Sequence, residues 1–311
     1  MLTRLYRNDM KKILILNYTK NCENEEFANL FRDKLSDICK IYSCDFSDTS
    51  VFVKEGGIEV MFGDYDAKEF DLIYFRRVGH EYFKLAAALA LCIKNLGIKF
   101  FDTGLSDIGP AGNKFISYLR LYFSGLPVIL PTYFCPKETI MQKYRKICED
   151  IGLPLVFKHL HLQRGSGVFL IKEASQILGI LKKFPSGDFM FQKLIDNVHE
   201  YRVLVLNGKI GAYEEKIKTD KNEFRSNVHL GALEKFFDVA SIPPDIKEIS
   251  IKAAKVLGIE IAGVDVLVDG NGKAWLIEVN RGPGLTYDEK ISPEIANFAK
   301  FLREELEESC G

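Results

Sequence analysis

Residues 263–285 read GVDVLVDGNGKAWLIEVNRGPGL, and this segment constrains the fold more than any other part of the chain. Two runs of alternating apolar and polar side chains flank the sequence DGNG. The pattern predicts a β-hairpin, because alternate strand residues point to opposite faces and because Asn-Gly and Asp-Gly favour two-residue turns. With Asn-Gly at the centre of the turn, Asp265 lies opposite Glu278. Any other two-residue turn keeps Asp265 on the face that also carries Glu278 and Asn280.

The two faces of this hairpin differ in chemistry. One face carries only apolar side chains and is expected to pack against a core: Val264, Val266, Val268, Trp275, Ile277 and Val279. The other face brings Asp265 and Glu278 together, and two such carboxylates repel each other unless a cation neutralises them. Mg²⁺ prefers oxygen ligands of this kind. The residues alone leave two interpretations open, a magnesium site or an ordinary hairpin with a solvated polar face.

The composition is that of a globular protein with two or three structural units, since 47% of the 311 residues are apolar and 27% are charged. The net charge of −1 predicts neither a nucleic-acid partner nor a membrane partner. The seven scattered cysteines contain no C-x-x-C pair and indicate reduced thiols, so a cytoplasmic location is expected. Met10 precedes the first apolar run and is an alternative translation start.

Strands alternate with helices up to about residue 110, which predicts a small α/β domain with a mostly parallel sheet. Beyond that point the pattern changes to strand–loop–strand and hairpin segments, with helices between them. We therefore divide the chain into three segments, residues 1–110, 111–187 and 188–311.

Five segments, taken in order, resemble the ATP-grasp superfamily, and most closely its ribosomal-protein glutamate ligases and related peptide-modifying ligases. They are PLVFKHLHLQRGSGVFL, MFQKLI, EYRVLVLNGKIGA, NEFRSNVHLGA and GVDVLVD…WLIEVNRGPGL. The resemblance covers about residues 112–302, and the ordered set is more specific than any member. It implies an α/β (α+β) ATP-grasp fold, in which the N-terminal α/β domain precedes a central and a C-terminal ATP-grasp subdomain.

The resemblance also implies ATP and Mg²⁺ as cofactors, with two ions held by Asp265, Glu278 and Asn280 and with Mn²⁺ as an alternative metal. Lys158 would contact the α- and β-phosphates, and Arg225 would act at the γ-phosphate as the catalytic residue. The other implied ATP-binding positions are Lys114, Gln192, Lys193, Leu194, Ile195, Glu200, Ser226 and Asn227. Among them, residues 192–195 would bracket the adenine and Glu200 would contact the ribose.

This chain departs from the family pattern at several positions. They are Gln192 for a common glutamate, Glu200 for the usual aspartate, Lys216 for an arginine, Arg281 for a small residue, and a loop at 159–167 with only two glycines. We expect that the first two do not abolish ATP binding, whereas the last three bear on acceptor specificity.

The implied reaction has two steps. A substrate carboxylate attacks the γ-phosphate of ATP to give an acyl phosphate and ADP, and an amine then displaces phosphate to leave an amide. The expected partners are an amino acid such as glutamate and a protein, peptide or small-molecule carboxylate. A macrocyclase that closes lactones or lactams in a ribosomal peptide is an alternative, as is a non-catalytic ATP-binding regulator. A homo-oligomer is also left open.

Two pairs of side chains outside these segments have competing interpretations. Arg76 and Arg77 follow an early predicted strand, and exposed surface charge is favoured over binding of an acidic substrate. His159 and His161 fall near the expected phosphates, and a solvated loop is favoured over a catalytic role.

Overall fold

The computed structural model describes residues 10–18, 22–54, 57–79, 81–107, 114–162, 166–184, 187–219 and 232–308. These residues form two compact units. Unit 1 contains the described residues up to 107, together with 258–261 and those from 281 onward, and unit 2 contains the described residues in 114–257 and 262–280. Both units combine helices with sheets, so the α/β class expected from the sequence is confirmed.

Unit 1 is built around a parallel sheet. Its elements up to residue 107 are β1 (Lys11–Asn17), α1 (Cys22–Lys34), β2 (Cys39–Asp45), β3 (Thr49–Lys54), β4 (Gly57–Phe62), β5 (Tyr65–Asp66), β6 (Leu72–Phe75), α2 (Phe83–Asn95) and β7 (Phe100–Phe101). The parallel sheet has the order β2-β1-β6-β7, and β3, β4 and β5 form a separate antiparallel sheet. Ile13, Leu14, Ile15 and Leu16 are all buried, which is typical of an interior strand that is covered on both faces.

Unit 2 contains two sheets. Its elements are α3 (Lys114–Phe123), β8 (Thr132–Pro136), α4 (Lys137–Ile151), β9 (Leu155–His159), β10 (Val168–Ile171), α5 (Ser175–Leu181), β11 (Asp188–Lys193), β12 (Asn197–Leu206), β13 (Lys209–Ile217), β14 (Leu233–Phe236), α6 (Pro244–Leu257), β15 (Ile261–Asp269) and β16 (Ala274–Arg281). The strand orders are β10-β9-β11-β8 and β14-β13-β12-β15-β16. Stacked rings of Phe157, Phe189 and Phe191 lie in the core that the first sheet forms with α4 and α5, and α6 packs on β12 and β13.

The last helix, α7 (Glu294–Glu308), belongs to unit 1. Its Phe298 ring lies 5.0 Å from that of Phe31 and 6.0 Å from that of Phe27, both on α1. These rings attach the C-terminal helix to α1 within unit 1. None of the described helices is both long and apolar enough to cross a bilayer.

The hairpin of β15 and β16 is present, but its turn differs from the prediction. The N–H of Asp269 donates to the carbonyl of Lys273 at 3.0 Å, and the N–H of Gly272 donates to the carbonyl of Asp269 at 2.9 Å. Three residues therefore form the loop, and Gly272 closes it with a φ of +79°, a conformation that glycine adopts without steric cost. The predicted two-residue turn is wrong.

The solvated polar face, one of the two interpretations left open, is wrong for Asp265, which is buried, whereas the expected burial of Val264 and Val266 is confirmed. Residues 261–266 are buried on both faces of β15 because this strand lies inside the sheet, between β12 and β16. On β16, Leu276 is buried whereas Trp275 and Ile277 are only half-buried. The N–H of Leu276 donates to the carbonyl of Pro127 at 2.8 Å, so another segment also covers this edge.

Candidate active site

Asp265 is the centre of a buried charge cluster in unit 2. It lies on β15, and its neighbour β12 supplies Arg202, whose Nε and Nη2 donate to the two carboxylate oxygens at 3.0 Å each. Lys216 on β13 donates to Oδ1 of Asp265 at 2.6 Å, and the amide of Asn280 on β16 donates to Oδ2 at 2.9 Å. The sheet order therefore brings side chains from three other strands, β12, β13 and β16, to the carboxylate of Asp265 on β15.

The charges in this cluster stabilise one another. Burial alone would raise the pKa of Asp265, but the charges and hydrogen bonds of Arg202 and Lys216 outweigh it and hold that pKa well below its ordinary range. Burial likewise disfavours the charged form of Arg202, yet the carboxylate of Asp265 raises the pKa of its guanidinium above the ordinary value. Asp265 and Arg202 are therefore both ionised at neutral pH.

Glu278 has a cationic partner of its own. Its Oε1 lies 3.2 Å from Nζ of Lys114, at the start of α3, and both side chains are about one-third exposed. Glu200 on β12 lies 3.7 Å from Nζ of Lys216. The expected repulsion between Asp265 and Glu278 is therefore offset by cationic side chains of the chain itself. Sequence reasoning did not foresee these partners.

The donor chemistry of Asp265, Glu278 and Asn280 fits Mg²⁺, because carboxylate and amide oxygens are the ligands that this ion prefers. Within the described ranges, no group of three or more His, Cys, Asp or Glu side chains could hold a metal ion. The candidate ligand set is therefore two carboxylates and an amide. Its role as a metal site stays a prediction.

Lys158 and Gln192 are linked in the first sheet of unit 2. The ammonium of Lys158 on β9 donates to Oε1 of Gln192 on β11 at 2.6 Å, and Nε2 of Gln192 donates to Oγ1 of Thr132 on β8 at 3.1 Å. Burial lowers the pKa of Lys158 to about 8, although the nearby Glu278 opposes this shift. Gln192 thus orients an ammonium group that is still mostly charged at neutral pH.

The other predicted positions lie at different places in the fold. Lys193 is exposed, and Leu194 and Ile195 are half-buried in the connection between β11 and β12. Arg225, Ser226 and Asn227 lie outside the described residues. The predicted contacts of all these positions with ATP stay predictions.

The two histidines also differ in their surroundings. His159 is only 8% exposed and packs against the rings of Phe184 and Phe189, so its interpretation as a solvated loop residue is wrong. It is the last residue of β9, and it pairs with Phe189 of the adjacent strand β11. His161 is exposed, and its Nε2 lies 3.0 Å from a carboxylate oxygen of Asp188.

Sequence reasoning missed Arg202 as a site residue and noted Lys216 only as a departure from the family pattern. A signal was present, because Glu200 and Arg202 alternate on one face of a strand and Glu214 and Lys216 do so on the next. Arg202 pairs directly opposite Glu214 in the antiparallel register. Alternating charges on adjacent buried strands therefore indicate an internal ionic cluster.

In unit 1, Arg76 is wrongly predicted as surface charge, because it is only 1% exposed. Its guanidinium lies 3.5 Å from the ring centroid of Phe27, and Nη2 donates to the hydroxyl of Tyr287 at 3.3 Å. Burial lowers the pKa of Arg76, and the charge of Arg77 adds to this effect. The aromatic ring and the hydroxyl stabilise its buried cation.

Arg281 is likewise internal to unit 1. It donates to the carboxylate of Asp102, and both side chains are largely buried. Burial lowers the pKa of Arg281 to about 10. Arg281, which stands where the family pattern has a small residue, therefore forms an internal ion pair.

Comparison with known proteins places these features in a family. Residues 134–301 match the family model of a RimK-like ATP-grasp domain. A probable alpha-L-glutamate ligase of Shewanella pealeana is 33% identical over 164 residues, which are 51% of this chain and 34% of that protein. The ribosomal protein bS6–L-glutamate ligase of Escherichia coli is 34% identical over 145 residues, 45% of this chain and 47% of that protein. The chain thus spans about half or less of the length of the curated relatives it matches.

Solved structures resemble the chain over nearly its whole length. The ATP-grasp ligase PsnB, in complex with a phosphomimetic variant of a minimal precursor, Mg and ADP, has a TM-score of 0.69 at 16% identity and covers 96% of this chain and 100% of its own. D-alanyl-alanine synthetase A of Vibrio cholerae has a TM-score of 0.67 at 15% identity, and the match covers 96% of this chain and 98% of the synthetase. The macrocyclase MdnC of Microcystis aeruginosa, bound to its precursor peptide MdnA, has a TM-score of 0.64 at 16% identity, and the match covers 94% of this chain and 99% of the macrocyclase. These likenesses confirm the expected ATP-grasp fold.

Proposed function

The chain belongs to the RimK-like ATP-grasp family, and from that premise we propose that it is an ATP-dependent carboxylate–amine ligase. The observation that carries this proposal is a cluster of hydrogen bonds and ion pairs around two carboxylates. Asp265 accepts hydrogen bonds from Arg202, Lys216 and Asn280. Glu278 forms an ion pair with Lys114. Such a cluster offers cations to phosphate oxygens and carboxylates to a divalent metal. The curated relatives named as glutamate ligases support glutamate as the amino acid that is added.

In the proposed reaction the protein mainly positions its substrates and neutralises charge. Lys158 and Lys114 bind phosphate oxygens of ATP, and residues 192–195 hold the adenine. A substrate carboxylate then attacks the γ-phosphorus as the bond to ADP breaks, giving an acyl phosphate. An amine attacks the acyl carbon, loses a proton and expels phosphate, so that an amide remains.

Mg²⁺ at Asp265, Glu278 and Asn280 would offset negative charge on the transferring phosphoryl group. Arg225 is proposed to stabilise the same group, on the family resemblance alone. Glu200 is proposed to contact the ribose, and Ser226 and Asn227 to face the phosphates. The division into segments 1–110, 111–187 and 188–311 is also a proposal; it follows the order of the chain, whereas the two units are grouped by contacts in space.

A macrocyclase is the second candidate. It is favoured by the near-complete overlap with ligases that were solved with precursor peptides. In that version the carboxylate and its acceptor belong to one peptide. The product mass separates the two reactions, because ligation adds an amino acid less one water whereas cyclisation only removes water.

The test is ADP release with a panel of amino acids and acidic peptides, followed by mass spectrometry of the products. We expect ADP release that requires both a carboxylate and an acceptor, and we expect Glu278→Gln to abolish it. Glu248→Gln is the matched control, since Glu248 is exposed on α6. Nucleotide binding without ADP release for any combination would indicate the non-catalytic regulator instead. Full activity of Glu278→Gln would refute the metal assignment.

A further inference from the structure

Both oxygens of the Asp265 carboxylate are fully engaged by neighbouring donors. Oδ1 accepts from Nε of Arg202 at 3.0 Å and from Nζ of Lys216 at 2.6 Å. Oδ2 accepts from Nη2 of Arg202 at 3.0 Å and from Nδ2 of Asn280 at 2.9 Å. An ionised carboxylate has about four lone-pair positions, so these four donors saturate it. A metal ion that binds Asp265 must therefore displace at least one of them.

Displacing a donor is unfavourable because Asp265 lies close to both cations, 3.0 Å from Arg202 and 2.6 Å from Lys216, whereas Glu200 is farther from Lys216. Asp265 is 6% exposed and Lys216 is 7% exposed, so water provides little screening. A dication on Asp265 would be repelled by both cations. Lys216 would keep the more distant carboxylate of Glu200, which lies 3.7 Å from its Nζ. A polyphosphate removes this conflict, because its oxygens accept the hydrogen bonds of both cations.

We propose that Arg202 and Lys216 make divalent-metal binding at Asp265 conditional on a nucleotide polyphosphate. The inference rests on the proposed function and adds to it an order of events. The nucleotide phosphates take over the hydrogen bonds of Arg202 and Lys216, and Asp265 is released to bind the metal. Metal and nucleotide must then raise each other's affinity by the same factor, because coupling between two binding sites is reciprocal.

Lys216→Met is the decisive variant. Methionine keeps most of the length of the unbranched side chain but removes one positive charge and one donor to Asp265, while Arg202 still neutralises the carboxylate. Mn²⁺ binding is measured from the electron paramagnetic resonance signal of free Mn²⁺, with and without ADP. We expect the wild-type protein to bind Mn²⁺ weakly without ADP. Lys216→Met should bind Mn²⁺ alone at least about tenfold more tightly, because one repulsive charge is gone.

Lys252→Met is the matched control, because Lys252 is exposed on α6, and it should bind Mn²⁺ as the wild type does. The gain in Mn²⁺ affinity from ADP should be smaller in Lys216→Met than in the wild type. Equal Mn²⁺ affinity of the wild type and Lys216→Met without ADP would overturn the inference. So would wild-type binding of Mn²⁺ that is as tight without ADP as with it. Failure of ADP and Mn²⁺ to bind together at all would instead refute the proposed function. Melting curves confirm that both variants are folded.

Discussion

A single buried carboxylate, Asp265, compensates two cations in unit 2. Asp265→Asn removes that compensation from Arg202 and Lys216. We expect the free energy of unfolding to fall by about 3–5 kcal/mol, as when one partner of a buried ion pair is removed. The measurement is urea denaturation in buffer that contains a chelator.

Glu278→Gln is the control for this change, because Glu278 and its partner Lys114 are about one-third exposed. An exposed pair contributes about 0–1 kcal/mol, so this variant should stay close to the wild type. If Asp265→Asn were no more destabilising than Glu278→Gln, the central role of Asp265 in the charge balance would be wrong.

Lys158 predicts a dependence of nucleotide binding on pH. Burial lowers its pKa from 10.5 to about 8. The cost of burying its charge is therefore present below pH 8 and is relieved as the pH rises from about 8 to 10.5. Phosphate affinity changes with pH in the opposite direction from stability, because the neutral amine that forms at high pH does not attract phosphate. We expect ADP affinity to decrease as the pH rises through about 8.

Lys158→Arg separates this effect from other titrating groups, since arginine stays charged over the whole range. Its ADP affinity should change little where that of the wild type falls. Isothermal titration calorimetry at several pH values makes the comparison. Parallel pH profiles of the two proteins would show that Lys158 is not the titrating group.

At the scale of elements, the turn after β16 depends on one glycine. Gly282 has a φ of +59°, and a Cβ at this position would overlap the carbonyl oxygen of Arg76. Gly282→Ala should therefore lower the free energy of unfolding by about 1–3 kcal/mol or more, through backbone strain and the displaced carbonyl. Gly284→Ala is the matched control, because nothing lies within 4 Å of its Cβ position. Equal melting temperatures of the two variants would contradict this account.

Strand β8 shows how tertiary pairing overrides a local signal. Its residues, Thr132–Pro136, follow one proline and end at another, and prolines are poorly suited to the interior of a sheet. The strand forms because each of its residues pairs with a residue of β11 in an antiparallel register. Gln192 belongs to that register, opposite Thr132. The hydrogen bond between these two side chains thus depends on the pairing of β8 with β11.

At the scale of the whole molecule, a nucleotide that binds only the folded chain must stabilise it. With a non-hydrolysable ATP analogue and Mg²⁺ at a concentration one hundred times the Kd, the expected gain is about 2.7 kcal/mol. The melting temperature should rise in the wild type and much less in Glu278→Gln. A melting scan with and without the analogue is the measurement, and an unchanged wild-type melting temperature would oppose ATP binding.

Local sequence determined the order of most strands and helices, because periodicity and turn residues act over a few neighbouring positions. The family and its fold were expected from the resemblance of five motif segments. Local sequence also placed Asp265, Glu278 and Asn280 on one hairpin. Only the tertiary structure decided which charges neutralise Asp265. Arg202 and Lys216 lie 63 and 49 residues from it along the chain, and the order of strands in the sheet brings them together. Burial of Arg76 has the same origin, since Phe27 and Tyr287 meet it only in the folded unit. Charge balance and burial are properties of neighbours in space, and a linear pattern does not contain them.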